Sequence, residues 1–194
     1  MQIFLRFLRL LDEAILFPLR FKRLVHILAP LLKDSKVVLD VGTSCGRLAK
    51  NIKIKLDIKF VGVDTHIQPK TFVPIIIGDG KKLPFKENSF DCVMIIDVLH
   101  HDNNPQKIIE EAKRVSKNYI LIKDHYWDTK MDLALLRCID YICNRPYGVN
   151  LPYSFFDTLS WVDLIKNNGL AIAKAQKFRN KFDPCKHIIL KLKK

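Results

Sequence analysis

The stretch Val37-Val38-Leu39-Asp40-Val41-Gly42-Thr43-Ser44-Cys45-Gly46-Arg47-Leu48-Ala49 decides the fold. Val37 to Val41 is a run of β-branched and aliphatic residues as long as one buried strand. Gly42 and Gly46 bracket a tight turn, and Arg47-Leu48-Ala49 opens a helix expected to reach about Lys55. A strand that turns through glycines into a helix presents backbone N–H groups and a positive helix end to a ligand. Without side chains at Gly42 and Gly46, that ligand can approach the main chain closely. Asp40, at the end of the strand, is placed to accept hydrogen bonds from a cationic or hydroxyl-bearing group.

Working outward, the next acid narrows the ligand. Lys59 to Val63 reads as a second buried strand, and Asp64 ends it. An acid about twenty residues beyond a glycine turn, at the tip of the following strand, pairs with ribose hydroxyls. Asp64 therefore predicts an adenosine-type ligand. A dinucleotide fingerprint would place glycine at 42, 44 and 47, whereas Ser44 and Arg47 stand here. That disfavours a pyrophosphate ligand, and with it a nicotinamide oxidoreductase.

Leu39-Asp40-Val41-Gly42-Thr43-Ser44-Cys45-Gly46 resembles the first motif of class I S-adenosylmethionine-dependent methyltransferases. Gly78-Asp79-Gly80-Lys81-Lys82-Leu83-Pro84-Phe85, followed by Asn88 to Val93, is similar to the third and fourth strands of the type 11 branch of that family. Asp97-Val98-Leu99-His100-His101 is similar to the segment that comes next there. The resemblance runs in order from about Val37 to about Asp124 and departs at Ser44, where many relatives carry glycine. It implies an α/β fold: a Rossmann-like, seven-stranded, mostly parallel sheet with helices on both faces. An N-terminal helical cap over residues 1–36 would precede a cofactor-binding domain over 37–194. The implied cofactor is S-adenosylmethionine, held by Asp40, Gly42, Thr43, Ser44, Cys45, Gly46, Asp64, Thr65, Asp79, Gly80, Asp97, Val98 and His100. By resemblance Asp79 approaches the adenine amino group, and Asp97 to His100 lie beside the sulfonium. The residue-level alternative for Asp79 is a turn aspartate binding its own backbone.

Val73 to Ile77 and Phe90 to Ile96 read as the third and fourth strands, and the segment after the latter lies at the end where α/β sheets bind ligands. His100 or His101 is a candidate general base, because an imidazole titrates near neutrality. Successive side chains of an extended chain point oppositely, so at most one of the two is expected to face the site. Tyr119 to Ile122 predicts the fifth strand, which runs into Lys123-Asp124-His125-Tyr126-Trp127. Asp124 and His125 are a second candidate pair for substrate contact or proton removal; a strand-end turn with aromatic packing is the alternative.

The 194 residues suit one domain, able to bury roughly 70% of its unfolded surface. A net charge of +13 makes an anionic partner worth considering, though solubility alone also accounts for it. Five cysteines form no CxxC pair, which predicts a reducing, cytoplasmic compartment with no disulfide framework and no metal site. Polar Gln2, Arg6, Arg9, Glu13 and Arg20 mark one edge of an N-terminal helix, opposite Ile3, Phe4, Phe7, Leu8, Leu11 and Ile15. Pro18 breaks that pattern, with a second helix expected from Arg20 towards Leu28. These helices are expected to pack on the sheet and cap the site; peripheral contact with a membrane is the sharper reading.

Between Thr65 and Thr71 the second crossover helix is expected to be stunted by Pro69. Helices are predicted over Pro105–Val115, over Lys130–Cys143 with Met131, Leu135, Cys138 or Ile139 and Ile142 on one side, and from a Ser160 cap to Asn167. Leu170 to Phe178 and His187 to Leu192 read as the last two strands, which the resemblance makes an antiparallel return through a basic loop around Arg179 to Cys185. Arg145, Tyr147 and Tyr153 lie in a loop suited to gripping an anionic or planar substrate. Asp183-Pro184-Cys185 is read as a chance likeness to a catalytic Pro-Cys pair. Together these features lean towards methyl transfer to a small-molecule or lipid-like acceptor. The alternatives are an RNA methyltransferase using the basic surface through nucleic acid phosphates, and a non-catalytic binding module on the same fold.

Overall fold

The computed structural model describes residues 17–145, 151–180 and 183–194. Helix α1 (Phe17–Leu32) leads into β1 (Val37–Val41), and the glycine turn then opens α2 (Arg47–Lys53). Next come β2 (Lys59–Asp64), β3 (Ile75–Ile77) and β4 (Phe90–Ile96), followed by a 3₁₀ turn at Leu99–His101. Helix α3 (Pro105–Val115), β5 (Ser116–His125), α4 (Lys130–Asn144), α5 (Thr158–Asn167), β6 (Ala171–Asn180) and β7 (Asp183–Lys193) complete the chain.

The seven strands form one sheet in the order β3-β2-β1-β4-β5-β7-β6. Strands β1 to β5 run parallel, and β7 lies antiparallel to both β5 and β6. Central strands are apolar on both faces, as a sheet covered on two sides requires. In β4, Val93 and Ile95 join the core beneath α3 and α5, while Cys92 and Met94 face the core under α1 and α2. Ile108, Ile109, Ala112 and Val115 are the buried side of α3, and Trp161, Leu164 and Ile165 that of α5.

Local chemistry sets the helix ends. Asn104 caps α3, with Pro105 just inside it, where a missing N–H costs nothing. Thr129 and Asp132 form a capping box on α4. Asp157, rather than Ser160, caps α5: its carboxylate accepts from the Ser160 N–H at 2.7 Å, which places Ser160 inside the first turn.

The remaining elements have equally local causes, some as read from the sequence and some not. Helix α1 begins at Phe17, with Pro18 in its first turn, and continues through Pro30 to Leu32. Val25, Leu28, Leu31 and Leu32 bury themselves against the sheet, and the Lys191 ammonium donates to the free Leu31 carbonyl at 2.9 Å. No helix forms between residues 65 and 74; the Phe72 N–H donates to the Cys45 carbonyl instead, tying the crossover to the glycine turn. On α4 the side bearing Met131, Leu135, Cys138 and Ile142 is the exposed one, and Leu136 and Asp140 are buried. All five cysteines are free thiols. Expectations for the helix of residues 1–16, for Tyr147 and for the centre of the basic loop lie outside the described residues. Among the described residues no helix is long and apolar enough to cross a membrane.

Candidate active site at the strand ends

The turn after β1 depends on glycine. Gly42 sits at φ +74°, and a Cβ there would stand 2.2 Å from Val98 Cγ2. The segment leaving β4 therefore packs directly on the turn. Ser44, where the first motif departs from the resemblance, is also left-handed, at φ +54°. A residue with a Cβ is strained by roughly 1–2 kcal/mol in that region. Ser44→Gly is expected to raise unfolding stability by about 1 kcal/mol, as read in a urea titration.

Beneath the turn, Asp40 is buried and its carboxylate accepts from the Thr43 hydroxyl at 2.7 Å. Burial pushes its pKa up to about 7, against the opposing pull of the Thr43 hydrogen bond. Asp64 lies at the tip of β2, where one oxygen accepts from the Ser44 N–H at 2.7 Å and the other from the His66 N–H at 3.1 Å. A ribose reaching this carboxylate would exchange with those backbone donors. The neighbouring Thr65 is exposed and pairs with the His66 ring at 2.9 Å. Asp79 is exposed as well, and its carboxylate accepts from the Lys81 N–H at 3.0 Å, the local turn bond that was its alternative reading. Gly80 follows at φ +77°. Cys45 and Gly46 close the turn into α2.

At the ends of β4 and β5 the side chains are polar or charged, with Lys123 and Asp124 buried and Asp97 and His125 partly exposed. Asp97 adopts φ +55°, and both of its carboxylate oxygens lie 2.6 Å from Lys123 Nζ. Lys123 is itself buried, and the strand register places it beside Ile96. Burial alone would raise the Asp97 pKa, but the Lys123 charge holds it below the usual carboxylate range.

Asp124 is 1% exposed and collects three donors: His100 Nδ1 at 2.5 Å, the His125 N–H at 2.7 Å and the Leu99 N–H at 3.1 Å. Burial works against both charged forms. The mutual attraction of the pair outweighs it, holding the His100 imidazole above its usual range and the Asp124 carboxyl well below its own.

The 3₁₀ turn overturns the expectation that His100 and His101 diverge. Their ring centroids are 4.0 Å apart, and the Nε2 atoms of both stand 3.9 Å from Asp140 Oδ1. Burial, then the neighbouring His100 charge, holds His101 below the usual imidazole range. His125 follows 5.2 Å from His100, and His187 lies 4.7 Å beyond it, so four imidazoles form a row. Phe155 stacks on His100 at 4.9 Å, and Tyr153, at φ +58°, lies 6.4 Å from Phe155.

Sequence reasoning missed Asp140, the pairing of Lys123 with Asp97, and His187, which donates to Asp183 at 3.0 Å. Signals were present for the first two: an acid four residues after Leu136 on a helix, and a lysine closing an apolar strand. Cys185 is buried, and burial pushes its thiol far up, so the Pro-Cys likeness has no reactive thiolate behind it.

This strand order with its reversed last pair, the left-handed glycine turn after β1 and the acids at the strand tips define a class I S-adenosylmethionine-dependent methyltransferase fold. Residues 39–119 match the family model described as a methyltransferase domain. That match, over residues 39–119, carries the likeness to the type 11 branch of this class.

An uncharacterised protein of Methanocaldococcus jannaschii is 42% identical over 79 residues, covering 41% of this chain and 38% of that protein. Ajmaline N-methyltransferase of Rauvolfia serpentina is 23% identical over 202 residues, covering 95% of this chain and 66% of its own length. The chain thus spans less than two thirds of either relative. A Thermotoga maritima structure described as an S-adenosylmethionine-dependent methyltransferase, possible histamine N-methyltransferase, superposes with a TM-score of 0.66 at 22% identity, covering 100% of this chain and 99% of that one.

Proposed function

We propose that the chain transfers a methyl group from S-adenosylmethionine to a small-molecule acceptor. The observation that carries this reading is the polar cluster of buried Lys123, His100 and Asp124 with half-buried Asp97 and His125, packed beside the glycine turn through Val98. The cofactor would lie along Asp40, Gly42, Thr43, Ser44, Cys45, Gly46, Asp64, Thr65, Asp79, Gly80, Asp97, Val98 and His100. When bound, it supplies a methyl carbon already activated by the sulfonium.

The chain's own part is alignment and exclusion of water. Lys123 fixes Asp97 at the end of β4, and Asp124 fixes His100. His125 completes the set by meeting the acceptor and receiving its proton; its Nδ1 is buried and 3.5 Å from Asp97 Oδ1. Two similar proteins are named for small nitrogen acceptors, which supports the acceptor class. A polyanionic acceptor such as RNA is the second reading, favoured by the groove lined by Lys22, Arg23, His26 and Lys55. The free thiols favour a cytoplasmic setting for either.

Calorimetric titration with S-adenosylmethionine and S-adenosylhomocysteine tests the cofactor site. Binding is expected for both and absent for NAD, and Asp64→Ala should weaken it by roughly 10–100-fold through lost ribose hydrogen bonds. A folded wild-type chain that binds neither ligand would overturn the reading. In a methyl-transfer assay against a panel of amines and hydroxyls, His125→Gln should lower kcat by about 100-fold while leaving S-adenosylhomocysteine affinity unchanged. Turnover of RNA alone, lost steeply with added salt, would move the assignment to the second reading.

A further inference from the structure

The cluster beyond β4 holds a carboxylate that the methyl-transfer reading does not use. Asp140, brought in by α4, is 6% exposed. The Asn144 side chain donates to its Oδ1 at 2.6 Å, while its Oδ2 is buried with no hydrogen-bond partner. His101 Nδ1 is buried and unpartnered too. A bare buried polar atom costs about 1–3 kcal/mol, so the unpartnered Asp140 carboxylate oxygen calls for an occupant. His100 Nε2 and His101 Nε2 each stand 3.9 Å from Asp140 Oδ1. His100 has its other nitrogen committed to Asp124 at 2.5 Å, which leaves Nε2 directed at Asp140. A buried carboxylate that fixes an imidazole through one nitrogen while the other stays bare is how metal-binding histidines are oriented.

We propose that His100, His101 and Asp140 form a binding site for a divalent transition-metal ion of the zinc class. Asp124 orients His100 in that site, and Asn144 orients Asp140. Two imidazoles and one carboxylate suit zinc and its first-row neighbours; magnesium and calcium take mainly oxygen ligands. Bonds of about 2.0–2.2 Å to a tetrahedral ion set donor atoms roughly 3.4 Å apart, so the two 3.9 Å separations to Asp140 need to close by about half an ångström. His100, Asp124 and His125 also lie within ligand distance of one another, but Asp124 already accepts from three donors and is the weaker candidate.

Three protein ligands leave a tetrahedral ion one open position, the pattern of a reactive rather than a structural site. Only the occupant of that position rests on the methyltransferase reading: an acceptor nitrogen, oxygen or sulfur, which sheds a proton more readily on the ion.

Equilibrium dialysis of the full chain against zinc chloride, followed by elemental analysis, tests the site. One retained equivalent of zinc is expected, and cobalt chloride in its place should give the visible absorption of a four-coordinate ion. The double variant His101→Gln/Asp140→Asn should lose that equivalent, and Cys138→Ser/Cys143→Ser should keep it. If the double variant fails to fold, His101→Gln alone decides, because that side chain is one-fifth exposed. A folded wild-type chain that retains no metal, or retention unchanged in the His101 variant, overturns the proposal. S-adenosylhomocysteine titration of the same samples reports on the cofactor site independently of the metal count.

Discussion

Asp124→Ala is expected to destabilise the chain by about 3–5 kcal/mol at neutral pH, the loss typical of removing one partner from a buried charge pair. The carboxylate is 1% exposed, and no solvent replaces it for the His100 imidazole or for the Leu99 and His125 N–H groups. Asp124→Asn keeps an acceptor oxygen but gives up the charge and turns an amide N–H towards a donor. A smaller loss of about 1–3 kcal/mol follows. Asp128→Ala is the control: its carboxylate is half exposed and meets Lys186 at 2.9 Å, so a cost of about 1 kcal/mol or less is expected. Urea titrations of the three variants give the ranking. Equal losses for Asp124→Ala and Asp128→Ala would show that Asp124 does not hold the strand ends together. Methyl transfer should fall in Asp124→Asn even where folding survives, because His100 and the 3₁₀ turn lose the group that sets them.

The sequence carries its local signals well and its long-range ones poorly. The glycine turn, Asp64 at the tip of β2 and the boundaries of α3 are legible because each depends on residues a few positions apart: Gly42 with Gly46, and Asn104 with Pro105. Phe90 to Ile96 reads as a strand for the same reason, an unbroken apolar run. The site's electrostatics depend on packing instead. Lys123 meets Asp97 only because parallel register sets β5 beside β4, and Asp140 reaches His100 only because α4 turns Leu136 inward. Nothing near Met131, Leu135, Cys138 and Ile142 marks that apolar side as the one facing water. Likewise, an extended chain and a 3₁₀ turn place His100 and His101 on opposite sides or together, and the choice is made by Leu99 N–H bonding to Asp124, a residue 25 positions away.

Asp40 gives the second large effect, and its sign is opposite to the usual behaviour of a carboxylate. Its folded pKa is raised from 3.8 to about 7 by burial, with the Thr43 hydroxyl only partly offsetting that shift. Between those two values the unfolded chain has released the proton while the folded chain keeps it. Stability attributable to this group is therefore greatest below about pH 4, falls as pH rises, and levels off above about pH 7. The full swing amounts to about 4 kcal/mol. Asp40→Asn keeps an acceptor for Thr43 and cannot ionise. Against the parent it should be nearly neutral at pH 4 and more stable by about 4 kcal/mol at pH 8. Urea unfolding of both chains across that range, plotted as the difference between them, removes the contribution of every other titrating group. A flat difference would mean that Asp40 ionises freely beneath the turn. A rise through pH 4–7 would mean that the chain carries a destabilised carboxylate under its glycine turn, and that a cation bound above it favours the ionised form.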